Sequence, residues 1–394
     1  MKNPIVLILI TVLFVGCATV KSTKYEKNQH IKNLNIEKTI KQMTLDQKVG
    51  QLFVIRPAAI DDRITVYEPD LPDAVKTVSV TEGMKKNYEK YPAGGFVMFT
   101  DNIENEEQIV RYNQELHMLG PTTNNITPFI YIDEEGGVVA RLARHPEFNL
   151  PEFESMASIG QTGDLTKAYD TGSVIGKYLK QYGFDADFAP IADVYTNPQN
   201  KVIGTRAFSS DPKLAAEMAV SFTAGLQSQN IKGCYKHFPG HGCTTTDSHY
   251  GLPETLKTWD ELLSCEMITF KKAIDSDAQM IMTAHITVPK VTGNNLPATV
   301  SSIMLTEKLR NELGFQGVII TDALEMGAIS QVYHGKMENA CVDAFISGAD
   351  ILLMPRDYKK SFDAVKNAVA SGKISMERLD ESVRRILTYK LVEK

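Results

Sequence analysis

Val318-Ile319-Ile320-Thr321 and the Asp322 that follows it decide how this chain folds. The run is short, apolar almost from end to end, and stops on a carboxylate. A strand with one wet face alternates apolar and polar residues, whereas an unbroken apolar run belongs to a strand covered on both faces, as in parallel sheets. The same form recurs at Leu52–Arg56, Gly95–Phe99, Phe129–Ile132, Asp187–Ile191, Gly233–His237, Gln279–Ala284 and Ile351–Met354. Helical periodicity fills the gaps, for example at Asn105–Leu119, Lys213–Gln227, Trp259–Ile274 and Met376–Tyr389. Strands alternating with helices in this way predict an α/β fold, a single (β/α)8 barrel of the TIM type. The alternative is a doubly wound open sheet. It needs a glycine-rich phosphate turn after the first strand, where this chain has Arg56-Pro57-Ala58-Ala59.

Length and composition agree with one large barrel. At roughly 150 residues per domain the 394 residues could hold two or three domains, but a barrel with insertions runs from about 200 to over 400. Hydrophobic residues at 43% and charged residues at 23% exclude a disordered, collagenous or coiled-coil chain. The net charge of −6, from 42 basic and 48 acidic side chains, provides no basic face, so no nucleic-acid partner is expected. Five cysteines are an odd number, which excludes a fully paired disulfide framework.

The N-terminus is read as a targeting segment. Lys2 precedes the almost wholly apolar run Ile5 to Val15, which is shorter than the ~20 residues a bilayer-spanning helix needs. The run ends at Phe14-Val15-Gly16-Cys17, and Ala18 to Lys38 is polar and lysine-rich. A charged start, a short apolar stretch and small residues at the cut describe a secretory signal. The cysteine at that point resembles the bacterial lipoprotein signal, in which the thiol takes lipid. Phe14 stands where that signal usually has Leu, and an ordinary signal peptide with a chance cysteine is the alternative. The expected organisation is a signal peptide over 1–16, a lipidated flexible tether over 17–37 anchored through Cys17, and the barrel over 38–394. The expected location is outside the cytoplasm, held to a bacterial membrane by that lipid. Thr44-Leu45-Asp46-Gln47 reads as a capping box opening the first helix.

Polar residues gather at one end of the predicted strands. Asp133, Asp193, Lys236, His237, His285 and Asp322 each lie at or just past a C-terminal strand end, the face that holds the active site in barrels. The densest stretch is Lys236-His237-Phe238-Pro239-Gly240-His241-Gly242 followed by Asp247-Ser248-His249, a loop shaped by proline and glycine. Three readings stand here. His237, His241, Cys243 and His249 could ligate zinc, although the spacing matches no zinc pattern and Lys236 would repel a cation. Some of the histidines could be satisfied core residues. Asp247 and His249 could form a dyad in which the carboxylate fixes the imidazole tautomer, so that the histidine serves as general acid and then base.

At these residues the sequence resembles glycoside hydrolase family 3, in its bacterial β-N-acetylglucosaminidase branch. The resemblance covers most of 44–394. It runs through Met43–Leu52, Ile132-Asp133-Glu134-Glu135-Gly136-Gly137 with Arg141, Phe188–Val194, Ile203–Phe208, the Lys236–His249 loop, Met282-Thr283-Ala284-His285 and Thr321-Asp322-Ala323-Leu324-Glu325-Met326. It implies a barrel form lacking the second domain of many relatives, and retaining hydrolysis of terminal β-linked N-acetylglucosamine. Asp322 is the implied nucleophile, His249 oriented by Asp247 the acid/base, and Asp133, Arg141, Arg206, Lys236 and His237 the groups that hold the sugar. Retaining glycosidases require a carboxylate to attack the anomeric carbon and a second group to protonate the leaving oxygen.

The residues themselves leave Arg141 and Arg206 open as salt bridges bracing the rim. Glu134 stands where relatives have Gln, Asp193 and His285 are expected behind the sugar-contacting groups, and Glu325 is expected to cap or face solvent. No metal or other cofactor is expected. The expected partners are a glycan ending in N-acetylglucosamine and, through the lipid, a membrane; the expected state is monomeric. Two alternatives are a β-glucosidase or other exo-glycosidase on the same barrel, and a sugar-binding lipoprotein without turnover. Cys17 taken up by lipid leaves Cys234, Cys243, Cys265 and Cys341 with open pairing, Cys234 and Cys265 being read as small buried hydrophobes.

Overall fold

Each predicted strand is present in the computed structural model, which describes residues 34–64, 76–123, 126–244 and 251–391. The signal segment, Cys17, Asp247 and His249 lie outside the described residues. The parallel strands are β1 (Phe53–Ile55), β2 (Gly95–Met98), β3 (Phe129–Ile132), β4 (Ala186–Asp187), β5 in two pieces (Lys232–Gly233 and Tyr235–Phe238), β6 (Met280–Thr283), β7 (Val318–Ile320) and β8 (Leu352–Leu353). One six-stranded sheet runs β8-β1-β2-β3-β4-β5, and a three-stranded sheet runs β7-β6-β5. Isolated parallel bridges from Ile191 to Lys236 and from Ile320 to Ile351 add to these pairings. Parallel contact thus passes from each strand to the next in a curled, TIM-like α/β fold with helices outside. Nearly all strand residues are buried, which is what their unbroken apolar runs require.

Several boundaries shift for identifiable reasons. The strand predicted over Asp187–Ile191 ends at Asp187 as a ladder and resumes only in the bridge at Ile191. Pro190 lies between and has no N–H to donate. Thr44 forms the expected capping box with Gln47. The helix predicted over Trp259–Ile274 is two, Trp259–Leu263 and Glu266–Asp275, because Cys265 leaves the helical region (φ −139°, ψ −84°). The tether boundary at residue 37 is corrected as well: residues 34–42 are helical. Ile36 and Ile40, four apart on one helix face, are buried in the core, and Glu37 pairs with Arg384 of the last helix.

That last helix, Met376–Leu391, closes the end of the sheet away from the polar rim. Asp350, fully buried just before β8, accepts from Arg310 at 2.7 Å, Arg385 at 3.1 Å, the Ser382 hydroxyl at 2.5 Å and the Ile319 N–H at 3.0 Å. Arg378 lies 3.6 Å away. These cations hold the Asp350 carboxyl below its usual range although burial alone would raise it. Cys234, Cys243, Cys265 and Cys341 are free thiols, and Cys265 is only partly buried. No described helix is long and apolar enough to cross a membrane.

Candidate active site

Chain geometry at the end of β3 sets the floor of the site. After Asp133 the chain makes a two-stranded antiparallel hairpin, Glu134–Gly136 with Val139–Ala140, which the sequence reading did not anticipate. Extended residues point to opposite sides in turn, so Asp133 and Glu135 face one way and Glu134 the other. Glu134 is fully buried and accepts the N–H groups of Arg141, Leu142 and Ala143 and the Tyr178 hydroxyl. It fastens the hairpin and the turn that carries Arg141.

Asp133 and Glu135 converge on a single ammonium. The Lys236 Nζ lies 2.7 Å from Asp133 Oδ1 and 2.7 Å from Glu135 Oε1. Arg206 grips Glu135 with two parallel hydrogen bonds, Nε to Oε2 at 2.8 Å and Nη2 to Oε1 at 2.7 Å, a fork geometry that is both strong and directional. Burial would raise the Glu135 carboxyl, but the Arg206 and Lys236 charges outweigh it and hold the group well below its usual range. Burial would likewise lower Lys236, and Asp133 and Glu135 instead raise it. Arg206 therefore braces the rim through Glu135, the alternative left open by the residues alone. Arg141 stands 3.9 Å from Asp133 Oδ2 and remains partly exposed.

Lys236 and His237 are adjacent in sequence, and both reach this rim. Regular alternation forbids that. Here β5 pairs with β6 at Tyr235–Ile281 and again at Phe238–Thr283, so the β5 side carries one extra residue. Such a bulge re-aims side chains, and bulges gather beside active sites. His237 Nδ1–H donates to Asp193 Oδ2 at 2.7 Å, and Asp193 Oδ1 accepts the N–H groups of His237 and His241 at 3.2 and 2.6 Å. Asp193 is buried, yet the His237 contact and these donors lower its pKa. His241 is buried, with Nδ1 2.7 Å from the Thr244 hydroxyl, and burial lowers its pKa. The loop is pinned at Gly242, where a Cβ would lie 2.0 Å from the Val194 carbonyl oxygen. Any other residue would collide with backbone.

Asp322 follows β7 on the same rim. Its N–H donates to the Thr283 carbonyl at 3.1 Å, and its Oδ1 accepts the Ala323 N–H at 2.8 Å. His285 Nε2–H donates to the Ala323 carbonyl at 2.9 Å while Nδ1 faces the Thr299 hydroxyl at 2.8 Å. His285 thus holds the turn that carries Asp322, in the supporting place expected of it. Glu325 does not cap the following helix and is only partly exposed. It is largely buried 3.6 Å from Arg56, whose guanidinium lies 3.7 Å over the Phe99 ring; Arg141 approaches the same ring at 5.1 Å. Phe99 and Arg56 directly follow β2 and β1 and, like Glu135, carry no role in the sequence reading. For Glu135 a signal existed, its period-2 relation to Asp133. Among the described residues no group of three or more His, Cys, Asp or Glu is arranged to hold a metal ion.

The rim combines a carboxylate (Asp322), a histidine oriented by Asp193 (His237) and a fixed array of buried charge, suited to binding a polyhydroxylated ring and attacking one of its carbons. Comparison with known proteins gives a consistent picture. The model of the glycosyl hydrolase family 3 N terminal domain matches residues 44–389. Beta-hexosaminidase A of Pseudoalteromonas piscicida is 34% identical over 326 residues, 76% of this chain and 54% of that protein. A beta-hexosaminidase of Nitrosospira multiformis is 32% identical over 287 residues, 71% of this chain and 78% of that protein. Among solved structures, a glycoside hydrolase family 3 beta-N-acetylglucosaminidase from Paenibacillus sp. superposes with a TM-score of 0.80 at 34% identity, covering 88% of this chain and 62% of that one. The chain thus spans less than two thirds of the length of two of these three relatives.

Proposed function

The chain belongs to glycosyl hydrolase family 3, and from that premise we propose that it is a retaining exo-β-N-acetylhexosaminidase releasing terminal β-linked N-acetylglucosamine. The observation that carries this reading is the Lys236 ammonium shared between Asp133 and Glu135 on the rim that also bears Asp322. Asp133 keeps oxygen surface for sugar hydroxyls, while Lys236 and Arg141 supply donors and the far nitrogen of His237, its Nδ1–H being given to Asp193, accepts. Arg206 contributes by fixing Glu135. Beta-hexosaminidase relatives at 32–34% identity support the choice of N-acetylglucosamine.

In the proposed reaction the Asp322 carboxylate attacks the anomeric carbon as the glycosidic C–O bond breaks. The proton for the leaving oxygen comes from His249, oriented by Asp247, and the same imidazole then deprotonates the water that releases the sugar from Asp322. Two displacements preserve the β configuration. Cys17 is proposed to carry the lipid of an exported, membrane-held enzyme acting on peptidoglycan-derived or other glycans.

The test uses aryl β-glycosides. Asp322→Ala is expected to lower kcat on the aryl N-acetylglucosaminide by a factor on the order of 10⁴ or more with unchanged folding. Turnover near the wild-type rate would sink the assignment of Asp322. Faster hydrolysis of the glucoside than of the N-acetylglucosaminide would replace the substrate.

A further inference from the structure

Beneath the sugar-facing cluster lies a carboxyl that the proposed reaction does not use. Asp187 ends β4 and has no exposed surface. Its Oδ1 accepts the Glu134 N–H at 2.9 Å, and its buried Oδ2 has no hydrogen-bond partner. The charged and titratable groups acting on it are Glu134 and Asp133 from the end of β3, Lys236 from β5, Cys234 from β5 and Tyr178 from the helix Leu165–Gln181. Burial keeps the Cys234 thiol and the Tyr178 phenol protonated by raising both.

Hydrogen-bond accounting distinguishes the two buried acids. Glu134 receives four donors, three backbone N–H groups and one phenol, spread over both its oxygens. A carboxylate can accept all four, whereas a protonated acid would turn its own hydrogen against one of them. Asp187 has one donor and one orphaned oxygen. Two neighbouring carboxyls in a dry interior do not both ionise, and the proton settles on the less solvated one.

We propose that Asp187 is a positioning residue held as a neutral carboxylic acid, that it shares one negative charge with Glu134 and leaves it there, and that this keeps Lys236 committed to Asp133 and Glu135. A third charge under Lys236 would draw the ammonium down and away from Asp133. Burial, then the nearby acidic charges, raise the Asp187 pKa well above the ordinary 3.8 against the Glu134 N–H and Lys236; burial raises Glu134 as well, against its four donors, so it is the donor count that assigns the proton to Asp187. The consequence for sugar affinity rests on the proposed function; the protonation itself does not.

Two crossed variants test the proposal. Asp187→Asn keeps the neutral shape and an acceptor for the Glu134 N–H, so its Tm at pH 5 is expected within about 2 °C of wild type. Glu134→Gln turns an amide toward four donors and is expected to lose about 5 °C or more. An acid with a raised folded-state pKa binds its proton more tightly folded than unfolded, so its contribution declines as pH rises from the unfolded value toward the folded one. The Tm of Asp187→Asn should therefore gain on wild type between about pH 5 and pH 8, by on the order of 1–2 °C per pH unit. The inhibition constant of free N-acetylglucosamine should rise toward alkaline pH more in wild type than in Asp187→Asn. If Asp187→Asn is as damaged as Glu134→Gln, or the Tm difference is flat with pH, the shared charge is refuted. If wild type binds the sugar and both proteins show the same pH dependence, the link to Lys236 is refuted. Absence of sugar binding in wild type, with the Tm pattern intact, counts against the proposed function alone.

Discussion

Replacing Glu135 by Gln removes one negative charge from a site where two cations depend on it, and the size of the effect follows from the contacts. Glu135 is almost fully buried and takes two hydrogen bonds from Arg206, at 2.8 and 2.7 Å, with Lys236 Nζ at 2.7 Å. Removing one partner of a buried ion pair costs about 3–5 kcal/mol, because the remaining charge loses its counterion without regaining water. Gln preserves the volume and one acceptor, and Lys236 retains Asp133, so the lower end applies, about 3 kcal/mol. In a domain of this size that lowers Tm by roughly 4 °C. Lys236, released from one of its two carboxylates, should settle on Asp133 and compete with the sugar, raising KM for the aryl N-acetylglucosaminide about tenfold with a smaller change in kcat. The folded-state pKa of Glu135 is depressed, so its stabilisation is fully present above the unfolded value near 4.5 and declines as pH falls toward the folded value. Urea unfolding of wild type and variant should therefore differ fully at pH 7 and progressively less as the pH drops below about 4. A loss under about 1 kcal/mol at pH 7, the range of exposed pairs, would falsify the claim that Glu135 is the counterion of both cations.

Two further outcomes probe other parts of the chain. Phe99→Ala removes the ring under both Arg56 and Arg141; each such contact contributes about 0.5–2 kcal/mol, so KM should rise roughly 3- to 30-fold with kcat nearly constant, and an unchanged KM would show that the ring does not position Arg141. Asp350→Ala leaves Arg310, Arg378 and Arg385 without their shared carboxylate at the opposite end of the sheet; chemical denaturation should show a loss of about 3–5 kcal/mol while KM stays at the wild-type value, and a raised KM in folded variant would contradict the separation of the two ends.

Much of the fold was legible because strands covered on both faces leave an unmistakable mark. Runs such as Val318–Thr321 and Phe129–Ile132 carry their burial in composition, and Asp133, Lys236, His237 and Asp322 lie where those runs end. The parts that escaped depend on information a one-dimensional pattern does not hold. The hairpin at Glu134–Ala140 contains two acids and two glycines and looks like loop. Its pairing is organised by Glu134, whose partners Leu142, Ala143 and Tyr178 become neighbours only after folding. Residues 34–37 read as tether because their surroundings are polar and lysine-rich; Ile36 and Ile40 join the core on a helix whose Glu37 pairs with Arg384 of the distant last helix. Arg56 and Phe99 follow two different strands, and nothing in sequence says that they stack. The proposed dyad of Asp247 and His249 lies outside the described residues.

The division of labour within Asp133-Glu134-Glu135 follows from chain parity. In an extended segment the first and third side chains share a face and the second takes the other. The two outer acids meet Lys236 and Arg206, and the middle one meets backbone donors. Charges on the sugar-facing side are thereby matched, Asp133 and Glu135 against Lys236 and Arg206 with Arg141 nearby. On the far side Glu134 is matched by N–H dipoles and a phenol, whereas Asp187 has one N–H for two oxygens. At Lys236-His237 the opposite requirement applies: two neighbouring residues must serve the same rim, and the extra residue in β5 breaks the alternation to allow it. A deletion restoring regular pairing there would send one of the two side chains away from the rim, at the expense of either the ammonium under Asp133 or the imidazole on Asp193. The extra residue in β5 and the alternation of Asp133, Glu134 and Glu135 after β3 therefore answer one demand, placing cations beside acids at the strand ends.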